Sequence, residues 1–401
     1  MNLPAHLILY SHDTYGLGHI RRNRKIASAL VEAFPQLRAS VITGSGVSGE
    51  YASHPRIDYI EIDQVEKLPD GQYRSADPDR TFSEVMADRK RAISEFIRSN
   101  PADIFIADKE PLGLGGELTE SLMFLQTTGT RMVLGLRDVL DETETLRKEW
   151  QAKGIFEAIE GLYDHIWIYG TKDFYNPLAG IGLPQSVLKR CSYTGYLYQN
   201  HTEFEKLPVA GLADNYVLVT AGGGGDGDFL MNAVLSAYES NTAIVCPAVL
   251  LLGPYTDPQH EKEIIARARQ LGSIRVIGFN SEPEALIRHS TAVIGMCGYN
   301  TFCEVIARRK PVLFVPRQTP RMEQLIRAER AQDLGLCETV RANVAADPEV
   351  FAQHINRLVA SVDDPAPAKT LDSFGLQRIC EKVAAILDIE TQPALAVEHT
   401  G

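Results

Sequence analysis

The stretch HLILYSHDTYGLGHIRR, residues 6–22, predicts how this chain begins to fold. Its apolar first part is typical of a strand that is buried on both faces, and its last part opens a helical pattern. Glycines between the two permit a tight strand-to-helix turn. The stretch YVLVTAGGGGDGD, residues 216–228, repeats this order in the second half of the chain. The two stretches together predict two α/β units.

Short apolar runs alternate with amphipathic segments in both halves, which is typical of parallel sheets covered by helices. In the first half we predict strands at 6–11, 39–43, 57–62, 103–107, 132–136 and 165–169, and helices at 20–34 and 82–98. In the second half we predict strands at 216–220, 243–251, 274–277, 292–294 and 311–315, and helices at 229–239, 258–271, 283–288, 300–308, 323–334 and 374–386. The fold class is therefore α/β, with two Rossmann-like, doubly wound domains facing each other across a cleft.

The predicted domains are 1–197 and 215–372, joined by a linker at 198–214. A C-terminal helix and tail occupy 373–401. Ligands of such sheets bind where the strands end at their carboxyl edge. The function is therefore expected in the loops that follow strands.

Charge and composition exclude several classes of protein. The chain of 401 residues has 40 basic and 52 acidic residues, and 40 − 52 gives a net charge of −12. An acidic balance argues against nucleic-acid binding, although a local pocket can still take an anionic small molecule. There is no apolar run of about 18 residues and no signal peptide at the start, which predicts a cytoplasmic protein. Six dispersed cysteines without a CxxC pair do not favour a metal site.

The first glycine turn carries a candidate catalytic base. Gly16 and Gly18 precede His19, which lies near the first turn of the following helix. The positive end of the helix dipole disfavours an imidazolium there, and a neutral histidine is a usable general base. The alternative is that His19 only caps the turn. Arg22 belongs to a basic cluster that follows; a solvated helix face and a phosphate contact are both open.

Two acids at strand ends are candidates for orienting His19. Asp108 and Asp138 each lie at the end of a predicted strand. From there either acid can orient His19, in the way that an acid orients the histidine of a catalytic triad. Helix capping is an equally good account of Asp138. The segment 66–80 is long and polar, and we predict a loop without regular structure, either a binding lid or a mobile connection.

The second glycine turn is suited to a diphosphate. Its four consecutive glycines are Gly222, Gly223, Gly224 and Gly225. Backbone amides there can converge on an anion at a helix N-terminus. No acid follows the next strand and no GK[ST] follows the glycines, so a dehydrogenase and a Walker-type ATPase are disfavoured. Asp226 and Asp228 form a DxD pattern, which holds a metal in some sugar transferases but here favours turn and cap chemistry. Their negative charge argues against a phosphate unless both carboxylates point away.

Further candidates for donor binding lie downstream. Glu304 is placed to accept both hydroxyls of a ribose, although a surface glutamate is the alternative. Phe279 can cover a flat base or serve as a core aromatic. The remaining candidates, at the next two strand ends, are Gly298, Asn300, Thr301, Glu323 and Gln324.

Taken together, the motifs HDTYGLGHIRRN (12–23), GGGGDGD (222–228) and MCGYNTFCE (296–304) resemble those of GT-B glycosyltransferases of family 28. This group includes the N-acetylglucosaminyl transferase of peptidoglycan lipid-precursor synthesis, and the motifs are most similar to those of bacterial predicted glycosyltransferases. The resemblance implies an inverting, metal-independent transfer from a nucleotide diphosphate sugar, with UDP-sugar as the expected donor. It implies no cofactor besides this donor.

The resemblance also implies acceptor binding by domain 1–197 and nucleotide-sugar binding by domain 215–372, and it assigns roles to residues. His19 resembles the catalytic base, Glu304 and Gly298 the ribose site, and Glu323 and Gln324 the contacts to the donor sugar. The glycine run resembles the diphosphate loop, but related transferases often carry a hydroxyl residue inside it. One phosphate contact is therefore missing or supplied from elsewhere.

The expected partners are a nucleotide sugar and an acceptor that the sequence does not name. The composition permits a lipid-linked acceptor through peripheral membrane contact, and the expected process is polysaccharide or glycoconjugate synthesis. Because the GLGHIRR turn also resembles that of nucleotide-sugar hydrolases of the same fold, hydrolysis stays open as an alternative, as do epimerisation and non-catalytic binding.

Overall fold

The computed structural model describes residues 5–13, 17–51, 54–68, 72–199, 212, 215–223, 225–240, 244–363 and 369–390. The chain divides into two compact units. The first unit comprises Met1–Thr14, His19–Gln199 and Asp372–Gly401, and the second comprises Tyr15–Gly18 and Asn200–Leu371. Most of the predicted linker at 198–214 lies outside the described residues.

The first unit is a parallel sheet covered by helices. Its strands are β1 Ala5–Ser11, β2 Leu37–Thr43, β3 Ile57–Glu61, β4 Val65–Lys67, β5 Tyr73–Ser75, β6 Ile104–Asp108, β7 Arg131–Arg137, β8 His165–Tyr169 and β9 Cys191–Tyr193. Its helices are α1 Gly18–Ala33, α2 Phe82–Ser99, α3 Thr119–Thr128, α4 Thr143–Ala152, α5 Ile155–Leu162 and α6 Gln185–Leu188. Among the described residues, the sheet order is β3-β2-β1-β6-β7-β8-β9. Connections run outward in both directions from β1 and β6, so the loops after these two strands lie at the switch point where such sheets bind ligands.

The second unit has the same architecture. Its strands are β10 Val217–Thr220, β11 Ala248–Leu251, β12 Ile274–Ile277, β13 Ala292–Gly295, β14 Val312–Phe314 and β15 Glu338–Thr339. Its helices are α7 Asp228–Glu239, α8 Pro258–Leu271, α9 Pro283–His289, α10 Tyr299–Ala307, α11 Glu323–Asp333, α12 Ala342–Ala345 and α13 Pro348–Ala360. In the part of the chain that is described, the sheet order is β12-β11-β10-β13-β14-β15, again with parallel pairs. The switch point lies between β10 and β13.

A last helix, α14 Gly375–Leu387, returns to the first unit. The amide of Gly375 donates to the carbonyl of Tyr196 at 3.1 Å, and the amide of Tyr196 donates to the carbonyl of Asp372 at 2.8 Å. On the helix itself, Cys380 Sγ lies 3.7 Å from the carbonyl of Ala29 in α1. The chain thus returns from the second unit to the first at Asp372.

The α/β class and the two parallel sheets are confirmed, and most predicted strands agree with the observed ones within two residues. The strand predicted at 243–251 begins only at Ala248. Pro247 lacks an N–H for the sheet, and Val245 is exposed. The prediction was wrong because it followed the apolar residues alone and ignored the N–H that this proline lacks.

The prediction that 66–80 has no regular structure was also wrong. β4 pairs antiparallel with β5, with Val65 opposite Ser75. Val65 is fully buried, which anchors this small hairpin. Each strand has only three residues, too few for a clear period of two.

Candidate functional site

His19, Asp108 and Arg22 form one hydrogen-bonded cluster in the first unit. Asp108 is the last residue of β6 and His19 lies in the first turn of α1. Since β1, which leads into α1, pairs with β6, both residues lie at the carboxyl edge of the sheet. His19 Nδ1 is 2.5 Å from Asp108 Oδ2. Of the two acids considered from the sequence, Asp108 is therefore the one that the structure brings to His19.

Arg22 contacts both oxygens of this carboxylate. Its Nε donates to Asp108 Oδ1 at 3.0 Å, and its NH2 donates to Oδ2. Both side chains are buried, and the guanidinium supplies the counter-charge that a buried carboxylate needs. The alternative of a solvated helix face was wrong for Arg22, which is 1% exposed. Arg22 lies three residues after His19 in α1, and this spacing places both side chains on the same face of the helix.

His12 is a neighbour of this cluster that the sequence reasoning missed. It follows β1 directly, and its ring centroid lies 4.0 Å from that of His19. Burial, together with the charge of His19, holds the pKa of His12 well below its ordinary value. His12 is therefore neutral at physiological pH. Its position directly after a strand was the signal that could have identified it.

Asp13 fixes the start of α1. Its Oδ1 accepts the amide of Ile20 at 2.9 Å, and its Oδ2 accepts the hydroxyl of Thr43 at 2.5 Å. Through Asp13, these bonds link the first turn of α1, where His19 lies, to β2. Burial raises the pKa of Asp13, while its hydrogen bonds oppose that shift.

The other first-unit candidates are placed as follows. Gly18 is the first residue of α1, and Gly16 lies outside the described residues. Asp138 accepts the amide of Val139 at 2.8 Å and the hydroxyl of Tyr196 at 3.2 Å. These contacts make Asp138 part of the connection after β7.

Three buried polar atoms at strand ends have no hydrogen-bond partner among the described residues. They are Ser11 Oγ at the end of β1, His12 Nδ1 just beyond it and Tyr169 OH at the end of β8. Burial raises the pKa of Tyr169, so its hydroxyl keeps its proton. Buried polar atoms without partners are uncommon, and at this edge of the sheet they suit a polar ligand.

In the second unit the glycine turn follows β10. Gly222 has φ +73°, a left-handed conformation that glycine adopts without strain. Its amide donates to Thr220 Oγ1 at 3.3 Å, and Gly223 accepts the amide of Tyr255 at 3.2 Å. Gly225 is described and Gly224 is not. The turn leads into α7, whose N-terminus carries the partial positive charge that favours anions.

Both acids of the DxD pattern are engaged in ion pairs. Asp226 Oδ2 accepts from Arg317 NH1. Asp228 Oδ2 lies 2.5 Å from His260 Nδ1 at the start of α8. The hydrogen bond to Asp228 raises the pKa of His260. Turn and cap chemistry was the favoured prediction for these acids. It did not include the two ion pairs, which join the acids to distant segments. Within the described ranges, no three His, Cys, Asp or Glu side chains are grouped to hold a metal ion.

Arg317 joins the glycine turn to α11. Its NH2 donates to Glu323 Oε1 at 2.6 Å, and its backbone amide donates to Gln324 Oε1 at 3.2 Å. Burial alone lowers the pKa of Arg317, but Glu323 and Asp226 raise it overall. The two predicted donor-sugar residues thus lie beside a cation that sequence reasoning did not single out.

Glu304 is fully buried in α10, so the alternative of a surface glutamate was wrong. Arg308 NH2 lies 3.4 Å from Glu304 Oε2, one helical turn away. Gly298 is the N-cap of α10, and Asn300 and Thr301 are buried in its first turn.

Arg327, a further residue that sequence reasoning missed, holds the turn before α10. Its NH1 donates to the carbonyl of Cys297 at 2.9 Å, and Cys297 has φ +62°. Its guanidinium lies 5.7 Å from the ring centroid of Tyr299. Phe279, after β12, is half-buried and lies outside the buried core.

The fold and the sequence define the class of protein. Among the solved structures to which the chain is similar is the UDP-glucosyltransferase of Polygonum tinctorium capable of glucosylating indoxyl, with 13% identity, coverage of 97% of this chain and 100% of that one, and a TM-score of 0.62. UGT2 of Phytolacca americana, complexed with UDP-2-fluoro-glucose and pterostilbene, has 12% identity, coverage of 96% and 99%, and a TM-score of 0.58. MurG of Acinetobacter baumannii has 13% identity, coverage of 95% and 100%, and a TM-score of 0.56. At such identities the similarity shows the fold, which is GT-B. No curated protein sequence matches the chain significantly.

Residues 216–381 match the family model of the glycosyltransferase family 28 C-terminal domain. The matched residues contain nearly all of the second unit and the first half of α14. The chain therefore has the GT-B fold and carries, over 216–381, a match to the C-terminal domain of glycosyltransferase family 28. Over the described part of the chain, no helix combines the length and the apolar character needed to cross a bilayer.

Proposed function

We propose that this protein transfers a sugar, with inversion, from a UDP-sugar to an acceptor hydroxyl. The observation that carries the proposal is the hydrogen-bonded cluster of His19, Asp108 and Arg22 at the switch point of the first unit, in a chain whose second unit matches a glycosyltransferase domain. A histidine that an ionised acid orients through Nδ1 can take a proton at Nε2.

In the proposed reaction, His19 removes the proton of the acceptor hydroxyl as its oxygen attacks the anomeric carbon. A bond forms between this oxygen and the anomeric carbon, while the bond from that carbon to the diphosphate oxygen breaks. A single direct displacement inverts the configuration. Asp108 stabilises the imidazolium that forms, and Arg22 keeps Asp108 in place.

The proposed donor site is the carboxyl edge of the second sheet. The glycine turn and the N-terminus of α7 offer amides to the diphosphate. Glu304 is proposed to accept the ribose hydroxyls, and Glu323 and Gln324 to contact the sugar. UDP is favoured because the similar structure from Phytolacca americana is a complex with a UDP-sugar analogue, and that of Polygonum tinctorium is a UDP-glucosyltransferase.

We further propose that the transfer needs no metal ion and no cofactor besides the donor. The support is that Asp226 and Asp228 are already paired with Arg317 and His260, so the DxD acids have cationic side chains as partners. Amides and a helix end can then take the charge of the leaving diphosphate.

On the acceptor side, Ser11, His12 and Tyr169 present buried polar atoms that suit a hydroxyl-bearing molecule. We propose an acceptor in polysaccharide or glycoconjugate synthesis, in the cytoplasm or at the inner face of its membrane. A lipid-linked acceptor would be reached by peripheral contact.

The test is a His19→Ala variant assayed for UDP release from a panel of UDP-sugars, with and without candidate acceptors. We expect loss of at least about 100-fold in turnover, with unchanged UDP affinity by titration calorimetry, because a general base contributes about 10²–10⁴-fold. His165→Ala is the control, since His165 begins β8 at the opposite edge of the same sheet. Wild-type turnover in His19→Ala would remove this residue from the mechanism, and free sugar released without acceptor would indicate hydrolysis.

A further inference from the structure

The proposed diphosphate site has an unfavourable balance of charge. Asp226 and Asp228 lie in the glycine turn and at the start of α7, and Glu323 lies at the start of α11. A nucleotide diphosphate would add further negative charge at this edge of the sheet. Coulomb repulsion among such groups is costly unless cations lie between them. Each of the three acids has a cationic partner: Arg317 contacts Asp226 and Glu323, and His260 contacts Asp228.

Arg317 is held so that one of its two carboxylate contacts can be exchanged. Glu323 is only 4% exposed in its side chain and lies 2.6 Å from Arg317 NH2, which makes it a buried anchor. Asp226 is 32% exposed in its side chain and can be hydrated when it is released. Arg317 Nε is buried and has no hydrogen-bond partner among the described residues. The guanidinium therefore has unused donor capacity directly beside the glycine turn.

We propose that Arg317 binds the diphosphate of the donor, and that Asp226 occupies the guanidinium until the donor displaces it. This inference rests on the proposed function and adds to it a specific cation and an internal competitor. Glu323 keeps NH2 in place while NH1 turns from the carboxylate of Asp226 to a phosphate oxygen. An arginine suits this exchange, because its planar fork matches carboxylate and phosphate oxygens alike.

Because Asp226 competes with the donor for Arg317, replacing Arg317 and replacing Asp226 should change the UDP affinity in opposite directions. Arg317→Gln removes the cation and should weaken UDP binding by about tenfold or more, since charge-assisted hydrogen bonds are among the stronger contacts. Asp226→Asn removes the competitor and should tighten UDP binding several-fold. Arg317→Lys keeps the charge without the fork and should lie between wild type and Arg317→Gln.

The experiment is titration calorimetry of the full-length protein with UDP and with uridine. Uridine lacks the diphosphate, so its affinity should be the same in all variants. Arg267→Gln is the matched control, because Arg267 pairs with Glu239 in the same unit and is exposed to a similar extent, 29% against 26% for Arg317. Melting curves of all variants show whether each is folded.

The double variant Arg317→Gln/Asp226→Asn separates competition from plain repulsion. If Asp226 acts by occupying Arg317, its replacement gives no gain once Arg317 is gone. A full gain in that background, or equal UDP affinity in Arg317→Gln and wild type, would overturn the inference and leave the proposed function standing. Parallel loss of uridine and UDP affinity in Arg317→Gln would assign Arg317 a structural role instead. Failure of the wild type to bind UDP would overturn both.

Discussion

At the scale of single residues, the first unit depends on how a buried carboxylate is satisfied. Asp108 is fully buried; its Oδ1 accepts from Arg22 Nε, and its Oδ2 is contacted by both Arg22 NH2 and His19 Nδ1. The carboxylate is thus shared between a permanent cation and an imidazole ring. The fixed Nδ1 contact leaves Nε2 as the nitrogen that can act on an acceptor.

Replacing Asp108 by Asn tests this arrangement. The amide keeps the shape but loses the charge that stabilises an imidazolium, so turnover should fall by about 100-fold or more. UDP affinity should not change, because the proposed donor site belongs to the second unit. Steady-state kinetics and calorimetry measure the two effects separately. Asp103→Asn is the control, since Asp103 precedes the same strand at its opposite end and accepts the amide of His6 at 2.7 Å.

A folded Asp108→Asn variant with wild-type turnover would contradict the orienting role. Melting curves are needed as well, because the variant leaves the buried guanidinium of Arg22 without its counter-charge. Unchanged calorimetric binding of UDP would show that the second unit is intact.

At the scale of elements, two strand–turn–helix units carry the proposed chemistry. Asp13 accepts the amide of Ile20 at the start of α1 and the hydroxyl of Thr43 in β2. In the second unit, ion pairs join Asp226 to the segment after β14 and Asp228 to α8. In both units, contacts with segments distant in sequence thus hold residues beside the start of the helix.

The pair between α7 and α8 predicts a pH dependence of stability. Asp228 raises the pKa of His260 above its ordinary value of 6.5. The folded state therefore binds the proton more tightly than the unfolded chain does. This stabilisation is complete below the unfolded pKa and is lost as the pH rises through the raised folded pKa.

We therefore expect the Tm difference between wild type and His260→Gln to be largest near about pH 6 and to shrink toward about pH 9. Asp228→Asn should remove this dependence on pH, because it removes the partner that raises the pKa. A difference in Tm that is equal at both ends of the range would show that the pair contributes no linked stability. The effect is small, because both side chains are partly exposed.

At the scale of the whole molecule, α14 decides which residues form each unit. It follows the second unit in sequence but packs with the first, through Gly375 and Cys380. Its apolar positions Ile379 and Val383 are buried. Part of the first unit therefore follows the second unit in the sequence.

A matched pair of core substitutions tests this division. Ile379→Ala in α14 should destabilise the first unit by about 2–5 kcal/mol, and Ile355→Ala in α13 should destabilise the second by a similar amount. Both isoleucines are buried, at 1% and 0% exposure. Hydrogen exchange followed by peptide gives the free energy of opening in each sheet. Loss of protection in β10–β14 alone for Ile379→Ala would refute the assignment of α14 to the first unit.

Sequence reasoning predicted the candidate site unevenly. The glycine turns and the strand ends could be predicted from the sequence, because glycine runs after apolar strands have a local signature. Asp108 and Asp138 were equal candidates, since both follow a strand and no local rule separates them. Arg22 looked like surface charge and Arg317 like a loop residue, because an ion pair between residues far apart leaves no trace in a local pattern.

By itself, the sequence determined the α/β class, the alternation of strands and helices and the two glycine turns. These follow from the period of apolar residues and from the conformational freedom of glycine, which act over a few neighbouring residues. Only the tertiary structure decided that Asp108 receives His19, that Arg317 joins Asp226 to Glu323, and that α14 returns to the first unit. These depend on contacts between distant segments, where burial forces each charge to find a partner that the local sequence does not name.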